Sequence, residues 1–304
     1  MTVLIKGGTV VNASGPFAAD VLVDGATIAG LASPGSATAL SWAQSAGSVL
    51  DATGTYVIPG AIDAHTHMEM PFGGTFSVDT FETGTRAAAF GGTTSIIDFA
   101  IQAKGQSLRS GLDAWFAKAE GHCAIDYGFH MIVSDVNSQS LDEMDLLVDE
   151  GVASFKLFMA YPGVFYSTDG EILLAMQRAA SNGSTIMMHA ENDIAIDVLV
   201  AQALARGEGD PRFHASTRPS LLEGEATHRA VQLARVAGAP LYIVHLSARE
   251  ALDEVVGARD RGQNVFAETC PQYLFLSEAD LAREGFEGSK FVCSPPLRAE
   301  RSMP

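Results

Sequence analysis

The chain has 304 residues, of which 47% are apolar and 18% charged, and it carries a net charge of −17. That balance suits a well-buried globular enzyme and excludes a disordered chain, while the negative surface argues against nucleic acid or anionic membrane as partners. The widely spaced Cys123, Cys270 and Cys293 form neither a CxxC motif nor a disulfide framework, no apolar run reaches about 18 residues, and the N-terminus shows no cleavage signature, so a reduced, cytoplasmic setting is expected.

Residues 1–58 read as a small β module. "TVLIKGGTVVNA" and "FAADVLVDGATIAGLA" are β-branched runs broken by turn residues, and Asp24-Gly25 is a hairpin signal. A Gly/Ser/Ala-rich loop is expected near residues 33–48. From Pro59-Gly60 the pattern changes to strand–helix alternation over residues 59–304. Strands are expected in "YVIPGAIDAH", at 93–100, 124–133, 152–159, 185–190, 240–247 and 263–270, as near-continuous apolar runs of the kind buried on both faces of a parallel sheet. Helices between them are expected to open on capping boxes at Ser140/Glu143, Thr168/Glu171, Ser220/Glu223 and Ser247/Glu250, and to close on Gly91, Gly151 and Gly183. Strict alternation means a parallel α/β fold, and the first strand ends in HTH rather than a glycine-rich nucleotide turn. A (β/α)8 TIM-like barrel is the better match. Seven strands are counted, and the eighth would lie beyond Pro304.

Active sites of such barrels sit at the C-terminal ends of the strands. His65 and His67 end the first strand, two apart and therefore on one face. Alone they fit two hydrogen-bonded histidines as well as half a metal site. His189 in "MMHAEND" and His245 in "IVHLSARE" end two later strands, so four imidazoles are expected to converge. His122, His130, His214 and His228 lack that placement and read as structural or surface residues. Lys156 sits inside the apolar run "VASFKLFMAYPG". Burial lowers an amine's pKa, and a neutral amine can take up CO2 to become a carbamate, an anion with two oxygens able to bridge two divalent ions. Asp63 and Asp98 are the nearby carboxylates, and neither is well placed to serve as a further ligand.

"GAIDAHTHMEMPFGG", "FKLFMAYPGVFYSTDGEI", "MMHAEND", "YIVHLS", "ETCPQYL" and "VCSPPLR" together resemble the hydantoinase/dihydropyrimidinase family of cyclic amidohydrolases, in unbroken order from the N-terminal module to Arg298. The resemblance implies two divalent ions, usually zinc, and a homo-oligomer such as a tetramer. His65 and His67 would hold one ion, His189 and His245 the other, and carbamylated Lys156 would bridge them. Tyr161 would donate to the oxyanion and Ser294 would hold the ring amide of a small cyclic diamide through its backbone. Met70, Phe72, Phe158 and Phe165 would line the pocket for the substituent outside the ring. A metal-binding, proton-shuttling Asp and a substrate-binding Asn are expected beyond Pro304, together with the rest of a β-sandwich that the N-terminal module begins. Without them the chain by itself is expected to self-associate and turn over slowly. An allantoinase-like cyclic amidase and a non-catalytic fragment stand as alternatives.

Overall fold

A computed structural model describes residues 1–299. The chain divides into two compact units, one of residues 1–63 with 88–95 and one of residues 64–87 with 96 onward.

The first unit holds two small sheets. Strands β1 (Thr2–Lys6), β4 (Asp20–Asp24), β5 (Thr27–Ala32) and β6 (Ser48–Asp51) form one in the order β5-β4-β1-β6. β2 (Thr9–Asn12), β3 (Gly15–Ala18) and β7 (Tyr56–Val57) form the other. β4 and β5 pair antiparallel about the Asp24-Gly25 turn, with Asp24 opposite Thr27 and Gly25 at φ 58°. The loop expected at 33–48 instead contains a helix, α1 (Ala37–Ser45), started by the Ser36 side chain, which accepts from Ala39 N–H. Its alanines and leucine are good helix formers, so composition that looked loop-like propagates a helix once capped. Gly60 has no room for a side chain: a Cβ there would fall 2.1 Å from Thr94 Oγ1.

A seven-stranded sheet organises the second unit. In order along the sheet its strands are β8 (Ala61–Thr66), β11 (Thr93–Ile101), β12 (Asp126–Ile132), β13 (Ser154–Phe158), β14 (Thr185–His189), β15 (Leu241–Ile243) and β16 (Val265–Ala267). Sheet order equals chain order, and the pairs from β12 to β16 are parallel. This is the α/β barrel architecture with seven strands among the described residues. A side-chain contact from His65 on β8 to Glu268 just after β16 joins the two edge strands, so the sheet is curled. A two-strand hairpin, β9 (Pro71–Phe72) and β10 (Thr75–Phe76), follows β8.

Helices α2 (Phe81–Phe90), α3 (Leu108–Ala119), α4 (Ser138–Asp149) and α5 (Asp169–Asn182) alternate with the strands. After β14 come α6 (Asp193–Ala205), a short α7 (Phe213–Ser216) and the long α8 (Ser220–Ala237). α9 (Arg249–Asp260) links the last two strands, and α10 (Pro271–Phe275) and α11 (Glu278–Leu281) follow.

The expected caps are realised in part. Thr168 and Glu171 form a capping box. At α4 the box is one turn earlier, with Asn137 as the cap and Ser140 as its reciprocal partner. At α8 and α9 neither Ser220 nor Ser247 caps. Their hydroxyls donate across elements, Ser220 to Glu250 and Ser247 to Glu223, so the glutamates are committed to tertiary bonds instead. Gly151 and Gly183 take the left-handed conformation as expected, but the turn after α2 places it at Gly92 rather than Gly91.

Alternation along the parallel strands sets the inner and outer faces. Phe155 and Leu157 point away from Lys156 and Phe158 on β13, as Ile186 and Met188 do from Met187 and His189 on β14. Ile132, Lys156, Met187 and Tyr242 lie in one register row across four strands. The inner face packs Phe99, Ile132, Phe158, Phe165, Met187 and Val244 into one apolar cluster. Among the described residues no helix is long and apolar enough to cross a membrane.

Candidate active site

The strand exits bring the sequence-derived residues together. His65 and His67 leave β8 with ring centroids 5.1 Å apart, both resting on the Phe99 ring at 4.6 and 4.9 Å. His189 ends β14 and His245 follows β15. Their rings lie 4.6 Å apart, with His189 Nδ1 3.0 Å from His245 Nε2. His65 bridges the pairs, 5.4 Å from the His245 ring. Lys156 sits among them, 1% exposed, its Nζ 3.0 Å from His65 Nε2 and 4.2 Å over the Phe99 ring.

The electrostatics favour neutral groups. Burial, then the neighbouring Lys156, drives His65 down to about 2, and the same causes hold His67 well below its ordinary value. Burial followed by His189 does so at His245. Lys156 falls from 10.5 to about 7, because burial outweighs the attraction of Glu268. Neutral imidazoles are the metal-binding form, and a lysine poised near 7 presents a free amine at physiological pH.

His67 Nδ1 and His245 Nδ1 are buried without a hydrogen-bond partner. Such orphans call for an explanation, and an ion is one. Among the described residues no three His, Cys, Asp or Glu side chains already form a group able to hold a metal ion. The donors stand as pairs around a lysine, His189 and His245 turned toward one another by a hydrogen bond and His65 turned toward Lys156. In kind the set fits two divalent ions: four imidazoles, two unpartnered nitrogens and an amine convertible to a bridging anion.

A cavity of about 670 Å³ opens over this cluster. Met70, Phe72, Phe158, Phe165, Tyr161 and Ser294 all line it. Phe158 and Phe165 stack at 4.9 Å, and Phe72, on the hairpin, meets the Tyr161 ring at 5.1 Å. Tyr161 holds a left-handed backbone at φ 63°. Its N–H donates to Asp193 Oδ2 at 2.6 Å, and its carbonyl accepts from the N–H groups of Val164, Phe165 and Tyr166. Burial raises the phenol pKa, keeping the hydroxyl a donor. Ser294 Oγ donates to Glu191 at 3.1 Å.

Several groups at the site escape a search for histidines and lysine. Glu191, two residues after His189, receives both His189 Nε2 and Ser294. Burial pushes its carboxyl up, but the His189 bond and then Arg298 and Arg218 prevail and hold it low. Glu268 stands at the exit of β16 against His65. Scanning strand ends for carboxylates as well as imidazoles would have found both. His214, read from sequence as structural or surface, lines the cavity beside Arg218, with Nε2 2.7 Å from the Cys293 carbonyl. Asp98 is held away from the histidine cluster. It lies inside β11 and accepts from Thr66 Oγ1, Met68 N–H and Trp115 Nε1, which is a structural assignment. His130 is likewise structural, bonded to Ala64 and Ser154.

Behind the cavity, Arg298 forms a buried ion pair with Glu223 at 2.6 Å and also donates to Ser247 Oγ at 3.0 Å. This pins the segment carrying Ser294 to the exit of β15.

Comparison with known proteins gives one consistent picture. Residues 56–254 match the model of the amidohydrolase family. The chain is 69% identical over 295 residues to a D-hydantoinase of Streptomyces coelicolor, covering 97% of this chain and 63% of that protein. It is 48% identical to a D-hydantoinase of Geobacillus stearothermophilus, covering 98% of this chain and 62% of that protein. The crystal structure of dihydropyrimidinase from Brevibacillus agri superposes with a TM-score of 0.94 at 49% identity, over 99% of this chain and 64% of that one. The chain thus spans less than two thirds of the length of these relatives.

Proposed function

Because the chain belongs to the amidohydrolase family, we propose that its site opens small cyclic diamides, hydantoins or dihydropyrimidines, to N-carbamoyl amino acids. The observation that carries this reading is Lys156, a buried amine lowered to about 7 and set among four inward imidazoles at strand exits. The names of its relatives, D-hydantoinase and dihydropyrimidinase, support the same class.

In this reading the neutral Lys156 nitrogen attacks CO2. One N–C bond forms, an N–H proton leaves to solvent, and a carbamate with two oxygens results. His65 and His67 would hold one divalent ion and His189 and His245 the other, with the carbamate between. Two such ions, zinc by family resemblance, would supply a water acidic enough to attack and would polarise the amide carbonyl. The Tyr161 hydroxyl donates to the carbonyl oxygen as negative charge develops there, the usual source of the largest single stabilisation. Its backbone bonds fix the ring before substrate arrives. The Ser294 backbone would hold the ring amide, as the family resemblance implies, while its hydroxyl donates to Glu191. Met70, Phe72, Phe158 and Phe165 offer an apolar, partly aromatic wall to the substituent outside the ring. Such a wall fits an aryl or alkyl group better than the polar ureido group of allantoin. The whole protein acts as a homo-oligomer in this reading.

The test is to purify the protein with zinc and bicarbonate, count metals by mass spectrometry, and assay 5-phenylhydantoin, hydantoin, dihydrouracil and allantoin. Two zinc ions and turnover of the first three support the reading. Allantoin as the sole substrate, or turnover indifferent to chelation, would overturn it.

A further inference from the structure

Glu268 is tied to the exit of β15 on both sides of His245. Its N–H donates to the Ile243 carbonyl at 3.0 Å, and its own carbonyl accepts from Leu246 N–H at 2.7 Å. The carboxylate is held in turn: Oε2 accepts from the Tyr242 hydroxyl at 3.1 Å, and Oε1 lies 3.4 Å from His245 N–H. Oε1 also meets Nδ1 of His65, across the gap between the sheet's two edge strands. On the opposite side of that ring, Nε2 faces Lys156 Nζ at 3.0 Å.

With Glu268 ionised, these contacts fix one proton arrangement. A carboxylate receiving donors from Tyr242 and His245 is an acceptor, so the His65 proton belongs on Nδ1. The Nε2 lone pair is then aimed at Lys156, which donates to it. The carboxylate is only 16% exposed and the histidine 10%, so solvent does not compete for either.

We infer that Glu268 is the positioning residue that sets the tautomer and direction of His65, presenting the Nε2 lone pair to the centre beside Lys156. The inference rests on the metal-centre reading above and adds to it a carboxylate–histidine pair behind one ligand. Outer partners of this kind typically contribute about 10–100-fold in metal affinity. Glu268 touches neither substrate nor the reacting atoms and acts on the centre through the ring of His65. Because it is also bonded at β15, the same carboxylate couples the exit carrying His245 to the strand carrying His65.

The test uses the full chain, its Glu268→Gln and Glu268→Ala variants, and two readouts that need no turnover. The first is the ¹⁵N spectrum of histidine-labelled, metal-free protein, with His65 assigned through His65→Gln. The parent should show His65 protonated on Nδ1, and Glu268→Ala should show a mixture of tautomers. The second is zinc affinity by competition with a chromogenic chelator. One of two ions should bind about 10–100-fold more weakly in Glu268→Ala, with Glu268→Gln in between. Gln keeps the volume and one acceptor, so it carries the test if the alanine variant does not fold. A parent His65 protonated on Nε2, or variants that lose only melting temperature while tautomer and affinity stay fixed, would overturn the assignment. A parent that binds no zinc would sink the metal reading, and the tautomer spectra would still decide the role of Glu268.

Discussion

Replacing Lys156 with Met tests the centre of the site through stability rather than rate. The folded amine titrates near 7 against 10.5 for the free side chain. The unfolded chain therefore binds this proton more tightly, and the fold carries a penalty that is full below about pH 7 and gone above about pH 10.5. Integrating the two titrations gives a cost of about 4 kcal/mol at pH 7 and about 2 kcal/mol at pH 9. Met keeps most of the volume and cannot be charged, but it forfeits the bond to His65, worth about 1 kcal/mol. In metal-free, CO2-depleted buffer, Lys156→Met should thus be more stable than the parent by about 3 kcal/mol at pH 7 and about 1 kcal/mol at pH 9. Urea titrations of both proteins with a chelator present give the difference directly, and comparing the two proteins cancels the titrating groups that Lys156 does not influence. A variant that is less stable at both pH values, or whose gain is the same at pH 7 and pH 9, would refute the claim that burial destabilises the charged amine at the centre. With zinc and bicarbonate supplied, the order should invert, because only the parent can gain from binding.

Native mass spectrometry should show the CO2 adduct on Lys156 in metal-loaded protein, and adduct formation should fall about tenfold per pH unit below about 7 as the amine becomes protonated. Tyr161→Phe should lower kcat by about 10²–10³ with little change in KM, since the hydroxyl acts on developing charge; steady-state kinetics with hydantoin would read it. Arg298→Ala should cost about 3–5 kcal/mol by leaving Glu223 buried and unpaired, measured by thermal melting, whereas Arg298→Met combined with Glu223→Leu should recover most of it.

Much of the site was legible because strand ends advertise it. Each histidine that mattered follows a short apolar run, and Lys156 interrupts one, so position along a strand alone predicted convergence. The carboxylates were harder. Glu268 sits in "ETC" after a strand of three residues, and its contact with His65 comes from curl in the sheet that brings β16 toward β8, a non-local fact. His214 reaches the cavity from the short helix α7 and Arg218 from the turn after it, a placement that no periodicity encodes. The fold was legible for a similar reason: alternation of apolar strands with helices leaves few topologies. What local pattern misjudged was local competition. The Gly/Ser/Ala stretch near residue 40 became α1 once Ser36 capped it. Glu223 and Glu250, spaced for capping boxes, were drawn into bonds between elements that a linear reading does not contain.

Lys156 on β13 pairs with Met187 on β14, and Phe158 pairs with His189. Slipping β14 by a single residue would turn His189 outward among the helices and bring Met188 to the inner face, because side chains alternate with period two. The lysine and the histidine reach one centre only in native register. In the proposed metal-centre reading, zinc uptake therefore doubles as a reporter of strand alignment during folding. Helical signal can rise while β13 and β14 are still misaligned, but the ion cannot be captured between them. A metallochromic dye present during refolding would time the moment at which these two strands find their alignment, separately from the collapse that precedes it.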